Sequence, residues 1–348
     1  MLRSAVRLAT RPLRSRSRRK AASGILNYDM FDGIRTTQEV AAARKLERIY
    51  HRGQDKAWEG KEVLTALIEK HGGVQIAPEK IEPLGRIFSV IFWGELAAWK
   101  VSAELALEIT ELEPKLAATS QAHDEARHFY VMHDYLTALG YQPGVLPEPA
   151  TDLLERVISA PSLAKKLLGM QLMVEPVALT IFQLIRASKV EPVLCDLLPY
   201  YERDEARHVA LGVQYLPKLL DRMSRAEIAE LWIWQLRLFF VEIRGVHDLE
   251  RDFRALGFHP REALRLGQTK QLQAIELMAE RLGRDLPIVE AFRRIMEFRL
   301  EMEFPHDEDT QNFSARLGRA IMASTRSKPK ANPEDHLMKP QTVKIDAL

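Results

Sequence analysis

The 348-residue sequence contains one cysteine, Cys195. An internal disulfide framework is therefore excluded, and the composition fits a reducing compartment, expected to be the cytoplasm. The net charge is only +2, which gives the body of the chain no general affinity for nucleic acid. There is no phosphate loop, no Rossmann glycine fingerprint and no Cys-x-x-Cys pair, so the common nucleotide and thiol chemistries have no motif to rest on. The two longest apolar stretches, around 81–107 and 163–185, are both interrupted by charge, at Glu95, Lys100 and Glu104 and at Lys165, Lys166 and Glu175. Both read as buried core helices, and no transmembrane segment is expected. No alternating pattern is long enough for a strand.

What is present is apolar and helical. With 46% apolar residues the chain can build a sizeable core in one large helical domain or two small ones. Two amphipathic helices are expected over 36–52 and 55–71, the second stopped by Gly72 and Gly73. Four longer ones follow over about 78–109, 112–139, 151–187 and 191–220, with Pro161 and Pro176 bending or breaking the third. Further helices are expected over 224–256, 260–282 and 286–304, and a short one over 315–323. The first of these carries Trp232, Trp234, Phe239 and Phe240, an aromatic cluster suited to a core or to the interface of a homodimer.

The ends differ from the body. Residues 1–30 form a basic arm, with Arg3, Arg7, Arg11, Arg14, Arg16, Arg18, Arg19 and Lys20 and no acid among the first twenty. That composition suits a transit peptide, which would place the protein in the mitochondrial matrix. It equally suits a contact arm for an acidic partner or an inert extension. Residues 324–348, with Pro329, Pro333 and Pro340, read as a flexible tail behind a helical domain over 31–323.

The pentapeptide Asp-Glu-Ala-Arg-His occurs twice, at 124–128 and 204–208. On a helix, residues three apart share a face, so Glu125 with His128, and Glu205 with His208, each present a carboxylate and an imidazole to one point. Thirty residues before Glu125 stands Glu95, and thirty before Glu205 stands Glu175, each inside a strongly apolar helical run. A carboxylate buried there without a partner costs several kcal/mol, on the order of the penalty for any uncompensated buried charge, and a metal ion is its most effective partner. Turn signals near Pro114 and Pro192 fall midway in each interval. Each segment therefore folds as a hairpin with arms of roughly 22 Å that bring its three ligands to one height. Two such hairpins give the ligand set of a dinuclear iron or manganese site in a four-helix bundle.

Other readings weigh against parts of this. A lone Glu-x-x-His is weak, and Glu303-Phe-Pro-His306 is an accident of composition because Pro305 breaks the helix between its members. A doubled charged stripe on solvent-facing helices accounts for the pentapeptides alone. It leaves Glu95, Glu175 and the equal intervals unexplained.

Glu95, Glu125-x-x-His128, Glu175 and Glu205-x-x-His208 resemble the ligand set of the ferritin-like di-iron carboxylate superfamily, across about residues 80–220. The doubled pentapeptide is most similar to the Asp-Glu-x-Arg-His signature of bacterial multicomponent monooxygenase hydroxylases. It is also related to motifs in ribonucleotide reductase small subunits and their oxidase relatives. The resemblance implies an all-α fold, a ferritin-like four-helix bundle with flanking helices. It also implies two iron ions, or manganese and iron, that activate O2 to oxidise an organic substrate. Under it, Asp124 and Asp204 accept from the outer nitrogens of the ligand histidines on the opposite hairpin, which fixes tautomer and orientation. Arg127 and Arg207 compensate the surplus acid charge or form plain salt bridges.

The departures narrow this reading. Ribonucleotide reductase small subunits place a radical Tyr one turn after the first ligand His, where this chain has Met132, with Tyr130 and Tyr135 out of phase. The hydroxylases place a Thr one turn after the third carboxylate, where this chain has Leu179, followed by Thr180. A stand-alone oxidase or oxygenase is therefore expected, with electrons from a donor protein or from the substrate. Phe92, Trp99, Met173, Leu179 and Phe182 lie within about a turn of the ligands and suggest an apolar pocket for a lipid, acyl or aromatic group, though each also suits plain core packing. Two other classes remain open: a ferroxidase or peroxide scavenger, and a non-catalytic scaffold stabilised by metal.

Overall fold

A computed structural model describes residues 47–282, 287–305 and 312–325. The arm over 1–30 and most of the tail lie outside the described residues, as does the 36–46 part of the first expected helix. Among the described residues every regular element is helical, so the chain is all-α.

The order is α1 (Glu47–Asp55), α2 (Gly60–His71), α3 (Pro78–Glu108), α4 (Leu112–Ala138), α5 (Glu148–Ile158) and α6 (Leu163–Gly169). A wider π turn (Met170–Val174) then leads into α7 (Glu175–Ala187). After these come α8 (Pro192–Leu220), α9 (Arg225–Asp248), α10 (Glu250–Leu256), α11 (Pro260–Leu282), α12 (Pro287–Glu303) and α13 (Phe313–Thr325). Local chemistry sets the ends. Gly72 closes α2 in the left-handed region at φ 69°, where a side chain would be strained. Glu191 caps α8 by accepting from the backbone of Val193 and Leu194, and Pro192 starts the helix where a missing N–H costs nothing. Ser224 and Glu227 form a reciprocal capping box on α9.

Several expected boundaries are corrected. The helix expected over 55–71 begins instead at Gly60, because Glu59 accepts from the Glu62 backbone and starts a new helix after a short linker. The helix expected over 151–187 is split: α5 starts at Glu148 and ends at Ile158, and Pro161 sits in the turn that follows. Pro176 breaks nothing, because the chain opens ahead of it. The Glu175 N–H bonds to Met170 O across the wide turn, which takes in one extra residue and relaxes the clash a proline ring makes with a preceding carbonyl. The helix expected over 224–256 is interrupted at Leu249. The last helix runs to Thr325, two residues past its expected end.

Two apolar clusters make the core, and four chain segments run between them. On α3, Leu84, Phe88 and Phe92 belong to one cluster and Ala98, Val101 and Leu105 to the other, with Glu95 at the crossing. On α4 the order reverses, from Ala117 and Ala118 to Met132 and Tyr135, with Glu125 and His128 between. The α6–π–α7 run passes Leu167, Leu168, Glu175, Phe182 and Ile185, and α8 passes Leu194, Tyr201, Glu205, Leu211 and Leu216. All six acids and imidazoles thus sit where the helices cross from one apolar layer to the other. Around them α1 and α2 lie on α4 and α8, α11 lies on α7 and α8, and α9 covers α5.

By length and composition Leu163–Ala187 could cross a membrane, yet its most apolar window is 72% buried inside the protein, as a core element is. Of the aromatic cluster on α9, Trp232 and Phe239 are core while Phe240 reaches the surface beside Arg299. Cys195 is half-buried, and burial pushes its thiol up.

Candidate metal centre

Two buried groups of side chains could each hold a metal ion: Glu95, Glu125, His128 and Glu205, and Glu125, Glu175, Glu205 and His208. Within each group the ligand atoms lie within 4.8 Å of one another. Glu125 and Glu205 belong to both groups. Four segments supply them, α3 with Glu95, α4 with Glu125 and His128, α7 with Glu175 and α8 with Glu205 and His208.

Both imidazoles present Nδ1 inward. His128 Nδ1 lies 3.1 Å from Glu205 and 3.4 Å from Glu95, and His208 Nδ1 lies 3.0 Å from both Glu125 and Glu205. The outer nitrogens face acids across the pair of helices, His128 Nε2 to Asp204 at 3.2 Å and His208 Nε2 to Asp124 at 3.4 Å.

Those two acids belong to a closed ring of charge. Arg127 Nη2 donates to Asp124 at 2.6 Å and to Asp204 at 2.8 Å. Arg207 Nη2 reaches the other oxygens of the same two aspartates, at 2.9 Å and 2.8 Å. All four residues are buried. Two carboxylates against two guanidiniums cancel, and burial of such an alternating set is tolerable because every charge touches two opposites. The arginines therefore act as salt-bridge partners of the aspartates. The charge of the four ligand glutamates is left for the centre itself.

Electrostatics follow from that crowding. Burial, and the neighbouring Glu205, push the Glu95 carboxyl well above its ordinary range despite His128. Burial works against charge at Glu125 too, but His208 and His128 hold it low. For the imidazoles burial opposes protonation, yet the surrounding carboxylates, Asp204 foremost for His128 and Glu125 for His208, hold both well above their usual value.

The donor set fits a pair of hard or borderline divalent ions. Glu125 Oε2 is buried without a hydrogen-bond partner, an expensive arrangement unless a cation takes its lone pair. Four carboxylates and two imidazoles suit iron or manganese and are unlike the thiolate and imidazole sets of structural zinc. Four carboxylate charges would balance two divalent ions.

Four further residues touch this centre and have no place in the repeated motif. Gln121 donates from Nε2 to Glu125 and Glu175, and Gln171 donates to Gln121 Oε1. Trp58, in the α1–α2 linker, donates to Asp204 at 2.8 Å, with the Arg127 guanidinium 4.8 Å from its ring centre. Tyr201 lies with its ring 4.3 Å from that of His128 and donates to the His128 carbonyl. The two glutamines did leave a sequence signal, since each stands four residues before a ligand glutamate. Trp58 left none.

The apolar residues flanking the ligands divide. Phe92, Met173 and Phe182 are buried, Leu179 is half-buried, and Trp99 is 39% exposed beside Phe129. Met132 is core, Tyr130 donates to Glu59, and Tyr135 donates to Glu191. The Thr180 hydroxyl is turned back to the Pro176 carbonyl. Compared with known proteins, the chain matches no family model and no curated protein.

Proposed function

We propose that the chain is an O2-activating dinuclear iron, or manganese and iron, oxidase or oxygenase with a ferritin-like four-helix bundle, acting on an apolar organic substrate such as a lipid, acyl or aromatic group. The observation that carries this is the sharing of Glu125 and Glu205 between two adjacent buried ligand groups. That arrangement suits two ions bridged by carboxylates. The bundle reading is supported by the four segments that cross between the apolar layers in alternating directions with the ligands at mid-height.

Bound there, two such ions would supply the redox capacity to reduce O2 and oxidise an organic molecule. The chain's own residues have separate tasks. Glu95 and His128 would hold one ion, Glu175 and His208 the other, and Glu125 and Glu205 would be available to both. Asp204 and Asp124 fix the imidazoles so that Nδ1 faces inward. Phe92, Met173 and Phe182 keep water from the centre and offer apolar contact to a substrate. Electrons would come from a donor protein or the substrate.

The test is anaerobic loading of the full chain with ferrous iron, followed by O2 and spectroscopy. Two ions per chain and an O2-dependent absorbing species are expected, with product formed when a lipid or aromatic compound is present. Glu125→Ala and His208→Ala should each hold well under two ions. Two ions with turnover of iron or peroxide alone would point to a ferroxidase, and two ions with no O2 reaction to a scaffold. Unchanged stoichiometry in both variants would remove the centre.

A further inference from the structure

The two halves of the centre are alike in their ligands and unlike in what stands behind them. Four residues before each ligand glutamate are Ile91, Gln121, Gln171 and Tyr201. Under the internal symmetry Gln121 corresponds to Tyr201, and Gln171 to Ile91. Gln121 Nε2 lies 3.0 Å from Glu125 Oε1 and 2.9 Å from Glu175 Oε1, and its own Oε1 accepts from Gln171 Nε2 at 3.1 Å. Carboxylates only accept, so the sense of both amides is fixed by chemistry: the Gln121 nitrogen faces the ligands, its oxygen faces Gln171, and both side chains are fully buried. On the other half no described residue plays the same part. The Tyr201 hydroxyl is spent on the His128 carbonyl, Ile91 has nothing to donate, and among the described residues the polar neighbour of Glu95 that can donate is His128, at 3.4 Å.

We infer that the two metal positions are unequal, and that Gln121, oriented by Gln171, is a positioning residue that makes the Glu175–His208 position the one filled first. The inference rests on the dinuclear reading above. A carboxylate already aimed and supported by a charge-assisted hydrogen bond loses less freedom on taking an ion than one that must be turned into place. The amide leaves lone pairs free for the ion, since Glu125 Oε2 has no hydrogen-bond partner. Glu125 is shared by both positions, whereas the contact to Glu175 belongs to one of them, so loss of the amide falls more heavily on the Glu175–His208 position.

The experiment is anaerobic titration of the full chain with Mn(II), read by the electron paramagnetic resonance of the free ion. Wild type should bind two ions in two resolved steps. Glu95→Gln should keep the tighter step and Glu175→Gln the weaker. In the Glu95→Gln background, Gln121→Leu should weaken binding about 10- to 100-fold, whereas in the Glu175→Gln background, where only the shared Glu125 loses its donor, it should weaken binding by a clearly smaller factor. Gln171→Leu, which removes only the orienting amide, should act in the same direction by a smaller factor, and decides the matter if Gln121→Leu does not fold. Two ions bound with equal affinity, or equal losses in both backgrounds, would overturn the inference and leave the dinuclear reading standing. Fewer than two ions in wild type would overturn that reading and the inference with it.

Discussion

Asp204 lies 3.2 Å from the outer nitrogen of His128, a residue on the other motif helix, and the pair His208 and Asp124 repeats the relationship at 3.4 Å. Each copy of the pentapeptide thus orients the imidazole of the other copy, and neither helix can build its half of the centre alone. Asp204→Asn keeps the shape and removes the charge behind His128, and its amide can turn a donor toward the ring. Metal affinity should fall about 10- to 100-fold, as measured by anaerobic titration, and circular dichroism should show a loss of thermal stability as well, because Arg127 and Arg207 lose one buried carboxylate. Unchanged affinity would mean that the ring is held by packing against Tyr201 alone.

Metal binding should release protons. Burial disfavours charge on both imidazoles, but the carboxylates around them hold both well above their ordinary value, so both are protonated at neutral pH. An ion needs the bare nitrogen. About two protons should leave, one per imidazole, with a further contribution from Glu95, whose carboxyl burial pushes well up. Affinity must then weaken as pH falls. Calorimetry in buffers of different ionisation enthalpy reads the release directly, and none at pH 7 would contradict this account.

Glu242 should give the fold a pH dependence of its own, away from the centre. It is buried on α9, where burial raises its carboxyl from 4.5 to about 8 even though Gln271 donates to it. A raised folded value means that the folded state binds the extra proton. The stabilisation is therefore complete below about 4.5 and is lost as pH rises to about 8. Over that window Glu242 alone should cost about 1.4 kcal/mol per pH unit. Glu242→Gln should remove this slope in urea unfolding measured from pH 5 to 9, and parallel profiles for the two proteins would contradict it.

Gly212→Ala probes the packing of the wide turn. A methyl there would stand 2.8 Å from the Gln171 Cβ and 2.9 Å from Leu172 Cδ2, so the turn must move away from α8. A net loss of about 1–3 kcal/mol is expected from overpacking. Gly245→Ala, with nothing within 4 Å, should instead gain up to about 1 kcal/mol from helix propensity. Denaturant midpoints separate the two, and equal effects would argue against the close approach.

The repeated motif and its two preceding glutamates were enough to single out six side chains that the structure gathers in one buried group, because helical spacing fixes faces and equal intervals fix height. Pro192 and Gly72 marked helix ends by chemistry that acts within a few residues. The wide turn before Glu175 was not legible in the same way. One added residue leaves apolar spacing nearly intact, and only Pro176 hinted at it. Trp58 was out of reach because its bond to Asp204 spans 146 positions and begins in a linker. Trp99 shows the converse limit: one turn from Glu95 it shares the ligand's face by spacing, yet it lies 39% exposed, because no spacing rule says where neighbouring helices stop covering a face.

A chain with one cysteine cannot bolt its two halves together covalently. The ring of Asp124, Arg127, Asp204 and Arg207 does that work between α4 and α8 with charge. Such a clasp is indifferent to reductants, and its burial shields it from salt. Its release is acid: opposing burial, His208 and the Arg207 guanidinium hold Asp124 down, as His128 and Arg207 hold Asp204. The clasp is therefore shut across the whole neutral range and opens only when pH falls through those depressed values.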